Sequence, residues 1–424
     1  MSPPICHVCQ GQSLTAYPHA FHQVTSDCRP WSRGGRLYLC SNCGTVQKRP
    51  DEKWHKEVRQ IYQGYEIYAQ SDSHEQAIFQ DSGSSQSRSE RIMEGLCGMF
   101  GLPEKGRLLD IGCGNGALLK TLSSRKPDWE LHGTEWSGRH QKSVEAIPGA
   151  KLFVTPEPYQ LPGRFDLITL VHLFEHLPDP VTFLKRITTK LTADGLVLIQ
   201  VPYWQESPFD LLVADHCSHF TPATLVWILR RAGFQCFHVT RDWVSKELSV
   251  VARPRKRAEV RTPNWTAKRG GKKPGIGHRN GLRNSPRVGD SGCDNNAPPP
   301  PTPSSIELAG IKQDLQARLT WLQESARALK KLGTADQAPA IFGTSIAATW
   351  LFQEGGSQAP FFVDEDPHQW GRTHLGRPIL PPDRIPEGSA VFMAFSPHLA
   401  QPIVQRLQRP GVTFHLPIPL DPAP

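Results

Sequence analysis

The first residues that could do chemistry are thiols. Cys6-His7-Val8-Cys9 and Cys40-Ser41-Asn42-Cys43 form two C-x-x-C pairs with 30 residues between them, and Gly44 follows the second pair. Each pair can bend a tight turn around a tetrahedral ion. Four thiolates at about 2.3 Å would close a structural Zn²⁺ site with no position left for water. Cys28 and His7 are substitute donors that a complete set of four cysteines makes unnecessary. Binding energy at such a site is largely folding energy, so chelation is expected to loosen this segment without touching chemistry directly.

A second candidate is the run Asp110-Ile111-Gly112-Cys113-Gly114-Asn115-Gly116, which follows a short apolar stretch and leads into Ala117 to Leu122. Alternating glycines let the backbone turn sharply and pass close to a ligand where a side chain would collide. The spacing is G-x-G-x-G behind an aspartate, not the G-x-G-x-x-G of pyrophosphate binders. A loop that also offers a carboxylate suits a ligand with an ammonium group and repels a pyrophosphate. Nineteen residues past Gly116 comes Glu135, where an acid at the end of a second strand accepts ribose hydroxyls in sheets of this kind. The bland alternative is a tight turn and a solvated strand end, with Cys113 as small packing.

Imidazoles and carboxylates gather in two further places. His172-Leu173-Phe174-Glu175-His176 matches an H-x-x-E-H zinc-peptidase string, but a β-run precedes it and Pro178 and Pro180 follow. Zinc peptidases need both histidines on one continuing helix, so that reading fails. Asp215-His216-Cys217-Ser218-His219 sits in a loop before the helix Ala223 to Arg231. A carboxylate beside imidazoles can form a general base, here His216 or His219 with Asp215 orienting the ring. The alternative is that these side chains cap the helix and close the pocket.

The elements that must hold these groups are short apolar runs separated by amphipathic stretches: Arg107 to Ile111, Leu131 to Glu135, Phe165 to Val171, Leu196 to Val201, Phe234 to Val239 and Leu248 to Val251. Strand alternating with helix implies an α/β fold with a parallel sheet covered on both faces and ligands at the carboxyl ends of its strands. Ser87 to Phe100, with Ile92, Leu96 and Met99 on one face, reads as a lead-in helix. Before it, Trp54, Tyr62, Tyr65 and Tyr68 read as packing. Ile306 to Leu332 reads as an amphipathic helix with Leu308, Ile311, Leu315, Leu319 and Leu322 on one face. Beyond it, Ile341 to Ala348 and Phe361 to Pro367 give a smaller Rossmann-like unit. Only Gly343 stands where a dinucleotide fingerprint has three glycines, which argues against NAD there.

The 424 residues carry a formal charge of +8. Residues 253–304 alone contribute +9, from 12 Lys and Arg against three acids, with nine Pro and seven Gly, so the other 372 residues sum to −1. That segment reads as a disordered basic linker, and the nearly neutral remainder argues against nucleic acid as the main partner. No apolar run approaches the roughly 20 residues of a membrane span, and the first residues lack a secretory pattern, so the expected location is cytoplasmic, with no membrane partner.

Strand, glycine loop, helix, strand and acid in register resemble the class I S-adenosylmethionine-dependent methyltransferases. By that resemblance Asp110, Gly112, Gly114 and Gly116 would hold the methionine moiety of S-adenosylmethionine and Glu135 its ribose. The Phe165-Asp166-Leu167-Ile168 strand, the Glu175-His176-Leu177 turn with Asp179-Pro180, and Ala193-Asp194-Gly195 extend the likeness. His172, Glu175 and His176 would then border the methyl donor. An N-terminal zinc-binding module (1–60), a Rossmann-like core with a mostly parallel seven-stranded sheet (61–252), the linker (253–304) and a C-terminal α/β domain (305–424) resemble the sugar C-methyltransferases. These act on nucleotide-linked deoxysugars. That family usually has Tyr-x-Glu-His in the catalytic loop, where Val213 and Asp215 hold the Tyr and Glu positions here. The resemblance implies methyl transfer to a small-molecule acceptor such as a nucleotide-linked sugar. Two rival classes remain: a nucleic-acid-associated protein gripping phosphates through the zinc module and basic linker, and an inactive methyltransferase-like scaffold.

Overall fold

A seven-stranded sheet lies at the centre of the computed structural model, which describes residues 5–65, 75, 77–79, 85–255, 303–333 and 338–420. The strand order is Phe234–Thr240, Glu247–Pro254, Leu191–Pro202, Phe165–Val171, Arg107–Ile111, Glu130–Glu135, Ala150–Val154. Neighbours run parallel except Glu247–Pro254, which is antiparallel to both strands beside it. Side chains alternate between the faces of a strand. Leu109, Ile111, Ile168, Leu170, Val197 and Ile199 therefore enter one core, and Leu108, Leu167 and Leu198 the other. Full burial of such a side chain contributes about 1.5–3 kcal/mol. Chain order reverses between Arg107–Ile111 and Phe165–Val171, and a crevice at such a switch point is where these sheets bind ligands.

Arg107–Ile111 and Phe165–Val171 have the expected bounds. Ala150–Val154 was not singled out because Lys151 interrupts its apolar run and it lies at the sheet edge. The lead-in helix is Arg88–Phe100, started by a Ser87/Glu90 capping box. Its buried face is Ser89, Ile92, Met93 and Leu96; Met99, expected on that face, is 50% exposed.

The N-terminal residues form a hairpin, Leu14–Val24 with Pro30–Cys40, extended by Val46–Gln47. The fourth strand of this sheet is Ser218–His219, which comes from the imidazole loop of the core. The helix Glu52–Gln63 runs across the expected boundary at residue 60, and Trp54 Nε1 on it donates to the Ala214 carbonyl at 3.0 Å. The cysteine module and the core are thus joined by main-chain ladder and side chain alike.

The helix Ser305–Leu332 buries Ile311 and Leu315 against Leu37, Leu39, Val46, Trp204 and Leu211, and packs Trp321, Leu322 and Leu329 with Phe209, Val213 and Trp350. It therefore contacts the cysteine module, the core and the C-terminal unit. That unit is a six-stranded sheet in the order Thr373–His374, Arg377–Leu380, Phe362–Val363, Ala340–Phe342, Ser389–Met393, Val412–His415. Most of the expected linker, residues 256–302, lies outside the described residues, as does Tyr68. Among the described residues no helix is long and apolar enough to cross a membrane.

Candidate active site

The glycine loop leaves the carboxyl end of Arg107–Ile111 with Gly112, Gly114 and Gly116 at φ +74°, +55° and +86°. These are left-handed values that favour glycine. Amides of Gly112 and Cys113 donate to the Thr134 carbonyl, tying the loop to the neighbouring strand. Glu135 ends that strand and accepts from the Gly114 amide at 2.6 Å and from the Trp136 amide at 3.2 Å. Burial raises its pKa, and the two amides oppose the rise. Asp110 lies beneath the loop, buried, with Oδ1 accepting from the Thr169 hydroxyl at 2.6 Å on the adjacent strand. Burial pushes its pKa up to about 7. Cys113 is buried against Gly133, as a packing residue.

The four cysteines converge as their spacing requires. Their sulfurs lie within 4.8 Å of one another, with Cys6 to Cys43 at 3.7 Å and Cys9 to Cys40 at 3.6 Å. Sulfurs about 2.3 Å from a shared tetrahedral centre stand about 3.8 Å apart, so the set fits Zn²⁺. Gln47 Nε2 donates to Cys6 Sγ at 3.0 Å, and the Gly11 amide to Cys9 Sγ at 3.4 Å, as outer partners of thiolates do.

The structure divides the third group of candidates. His172 takes φ +51° at the end of Phe165–Val171, a conformation that is uncommon outside glycine and concentrates at functional sites. Its Nδ1 is 3.3 Å from Glu175 Oε1 and its Nε2 3.1 Å from Glu247 Oε2, while Glu247 Oε1 faces Arg88 at 3.6 Å. Burial opposes the charge on this ring, yet Glu247 and Glu175 raise its pKa to about 9. Of this turn it is Leu173 that reaches the glycine loop, 3.3 Å from where a Gly112 Cβ would stand. Glu175 and His176 instead join His216 in one cluster. A short 3₁₀ turn, Phe174–His176, replaces the helix a zinc peptidase needs.

Asp215 was expected to orient His216 or His219, but it is bonded elsewhere. It accepts from the Ser26 amide at 2.9 Å and the Ser26 hydroxyl at 2.5 Å, and stands 3.5 Å from His176 Nδ1. Its backbone carbonyl accepts from the same nitrogen at 3.0 Å. The carboxylate facing both loop imidazoles is Asp210: His216 Nδ1 donates to Oδ1 at 2.7 Å and His219 Nδ1 to Oδ2 at 2.6 Å. Burial alone would raise the Asp210 pKa, but the two rings hold it well below the usual carboxylate range. Burial likewise disfavours charge on both rings. Asp210 overcomes it at His216, whose pKa rises, whereas that of His219 falls.

Two further groups reach this cluster without a sequence signal. Tyr62, at the end of Glu52–Gln63, brings its hydroxyl to 3.2 Å from His176 Nδ1 and so supplies a phenol that the loop itself lacks. Lys48 is buried, donates to the Val213 carbonyl, and has its pKa lowered to about 8 by burial.

A glycine loop after the first strand, an acid ending the second, and one antiparallel strand near the far edge define a class I, Rossmann-like methyltransferase fold. Residues 86–239 match the family model described as a methyltransferase domain, and the chain carries such a domain. It is 24% identical over 194 residues to the C-methyltransferase NovU of Streptomyces niveus, covering 43% of this chain and 45% of that protein. A ubiquinone biosynthesis O-methyltransferase of Aeromonas salmonicida is 26% identical over 169 residues, 34% of this chain and 68% of that one. The chain thus spans less than half the length of NovU. Among solved structures, the calicheamicin-biosynthesis methyltransferase CalO1 superposes with a TM-score of 0.33 at 21% identity, over 39% of this chain and 54% of that one.

Proposed function

We propose that the protein transfers a methyl group from S-adenosylmethionine to a small-molecule acceptor, with a nucleotide-linked sugar as the acceptor class. The observation that carries this reading is the pairing of Glu135 with the Gly114 amide over a loop of left-handed glycines at the sheet's switch point. Gly112, Gly114 and Gly116 supply the left-handed turns by which the loop would wrap the donor. Glu135 offers a carboxylate for ribose hydroxyls, and Asp110 adds negative charge beneath the loop to complement an ammonium group. When bound, the donor supplies an electrophilic methyl on a sulfonium.

The chain's own contribution is to remove a proton from the acceptor and to keep water out. His216 and His219 are the candidate bases, with Asp210 as the carboxylate against both rings and Asp215 held by Ser26 beside His176. Their burial, with that of Glu175 and Asp210, keeps the cluster largely out of water, so charge interactions there are stronger than in water. The four cysteines would hold a structural Zn²⁺ with no open position for chemistry. The match to a C-methyltransferase supports methyl transfer, while the sugar as acceptor rests on the resemblance of the module order to sugar C-methyltransferases.

The experiment is to incubate the full chain with methyl-labelled S-adenosylmethionine and a panel of nucleotide-linked sugars and small phenols. Label is expected on a sugar, and His216→Ala should reduce its transfer. Transfer to phenols alone would replace the acceptor class, and no transfer to any acceptor would refute the activity.

A further inference from the structure

One buried carboxylate serves two imidazoles. Asp210 sits on the 3₁₀ turn Pro208–Leu212, with His216 and His219 on the same stretch of chain six and nine residues further on. All three are at least 95% buried, so no water competes for the two bonds. A carboxylate only accepts, so each ring must present Nδ1–H to it, which in the neutral ring leaves Nε2 as the lone-pair nitrogen. The rings differ in where that nitrogen goes. His219 Nε2 is buried with no hydrogen-bond partner among the described residues. The His216 ring instead faces His176, edge to face at 4.6 Å, in the cluster with Glu175.

We infer that Asp210 is the positioning residue of the site: by taking Nδ1–H from both rings it fixes His216 as the Nδ1–H tautomer, with Nε2 free to accept the acceptor's proton, and leaves His219 as its enclosed counterpart. The consequence for turnover rests on the methyl-transfer reading; the tautomer does not. Asparagine at this position tests the idea because its amide has one accepting oxygen and one donating nitrogen. Only one ring can keep Nδ1–H against it; the other must accept at Nδ1 and carry its proton on Nε2, where a base is useless. Removing His219 returns the oxygen to His216.

The test uses full-length protein labelled with ¹⁵N-histidine, with ring-nitrogen spectra recorded in mildly alkaline buffer, and needs no acceptor. Wild type is expected to show both His216 and His219 protonated at Nδ1. Asp210→Asn should move one ring to Nε2–H, and Asp210→Asn with His219→Ala should show His216 at Nδ1–H again. In the labelled-methyl assay, Asp210→Asn should lower kcat about 10²–10⁴-fold with KM nearly unchanged if the inverted ring is His216, and the double variant should recover at least part of it. An unprotonated Nδ1 on His216 in wild type would overturn the assignment without any variant having to fold. So would an Asp210→Asn protein in which both rings keep Nδ1–H. The expected tautomers together with full activity in His216→Ala would uphold Asp210 as the clamp and refute His216 as the base.

Discussion

Removing the proposed Zn²⁺ from the four-cysteine cluster is expected to lower the proposed methyl transfer about 10²-fold or more while leaving the glycine loop able to bind the donor. The sequence alone implied that chelation would loosen this segment without touching chemistry directly, and the ladder adds an indirect route because the imidazole loop is part of the knuckle's own sheet. Ser218–His219 pairs with Val46–Gln47, the Lys48 amide donates to the Cys217 carbonyl at 2.9 Å, and His7 Nε2 lies 2.7 Å from Ser218 Oγ. Further along the module, the Ala214 amide donates to the Val24 carbonyl at 2.8 Å and Ser26 holds Asp215. A hydrogen bond contributes about 1 kcal/mol net, and one to a charged group about 1.5–3. These contacts together therefore amount to roughly 5 kcal/mol or more of order in the loop. Structural zinc supplies about 10–16 kcal/mol of binding energy that becomes folding energy, enough to control all of them. Losing only about 3 kcal/mol would cut the population with a correctly placed loop about 10²-fold, at about 1.4 kcal/mol per factor of ten. The glycine loop and Glu135 lie on other strands and keep their own bonds. The assay is metal content, turnover and calorimetric affinity for S-adenosylhomocysteine before and after chelation. Full turnover in protein shown to have lost its metal would refute the coupling, and purified protein with no metal would refute the site.

Two pH dependences follow from buried charge. Asp110 has its carboxyl raised from 3.8 to about 7 by burial, so the cost of its charge is absent below the unfolded value, grows between the two, and is full above 7. Asp110→Asn should therefore gain thermal stability over wild type as pH rises across that window while losing donor affinity; a stability difference independent of pH would contradict this. His172 is raised from 6.5 to about 9, against burial, by Glu247 and Glu175, so its stabilisation is complete below 6.5 and disappears as pH rises through 9. His172→Asn, which tolerates the left-handed backbone, should cost stability in acid and little above that range, and unfolding curves across pH will show whether the cost fades.

The sheet and the glycine loop were legible because their signals are local. Strand, glycine turn, helix and acid follow one another within 29 residues of chain, and buried strands announce themselves as apolar runs. The cysteine cluster was legible for the same reason of spacing. The imidazole site was only half legible. Its histidines stand out, but Asp210 precedes them at separations of six and nine that match neither helix nor strand, and the nearer acid, Asp215, was the natural choice. Two-residue strands such as Val46–Gln47 and Ser218–His219 have no periodicity to detect. The hairpin Leu14–Val24 carries Pro18 and two histidines in a strand at the sheet edge, which hides it among loop-like residues. Tyr62 reaches His176 from 114 residues away, a separation no local pattern encodes.

Calorimetric titration of S-adenosylhomocysteine into wild type and Glu135→Ala tests the central claim most directly. One site per chain is expected in wild type, with affinity at least tenfold weaker in the variant, since a hydrogen-bonded charge on a ribose contributes about 1.5–3 kcal/mol. Equal affinity in the two proteins, or no binding to wild type, would contradict the assignment of the glycine loop as the methyl-donor site.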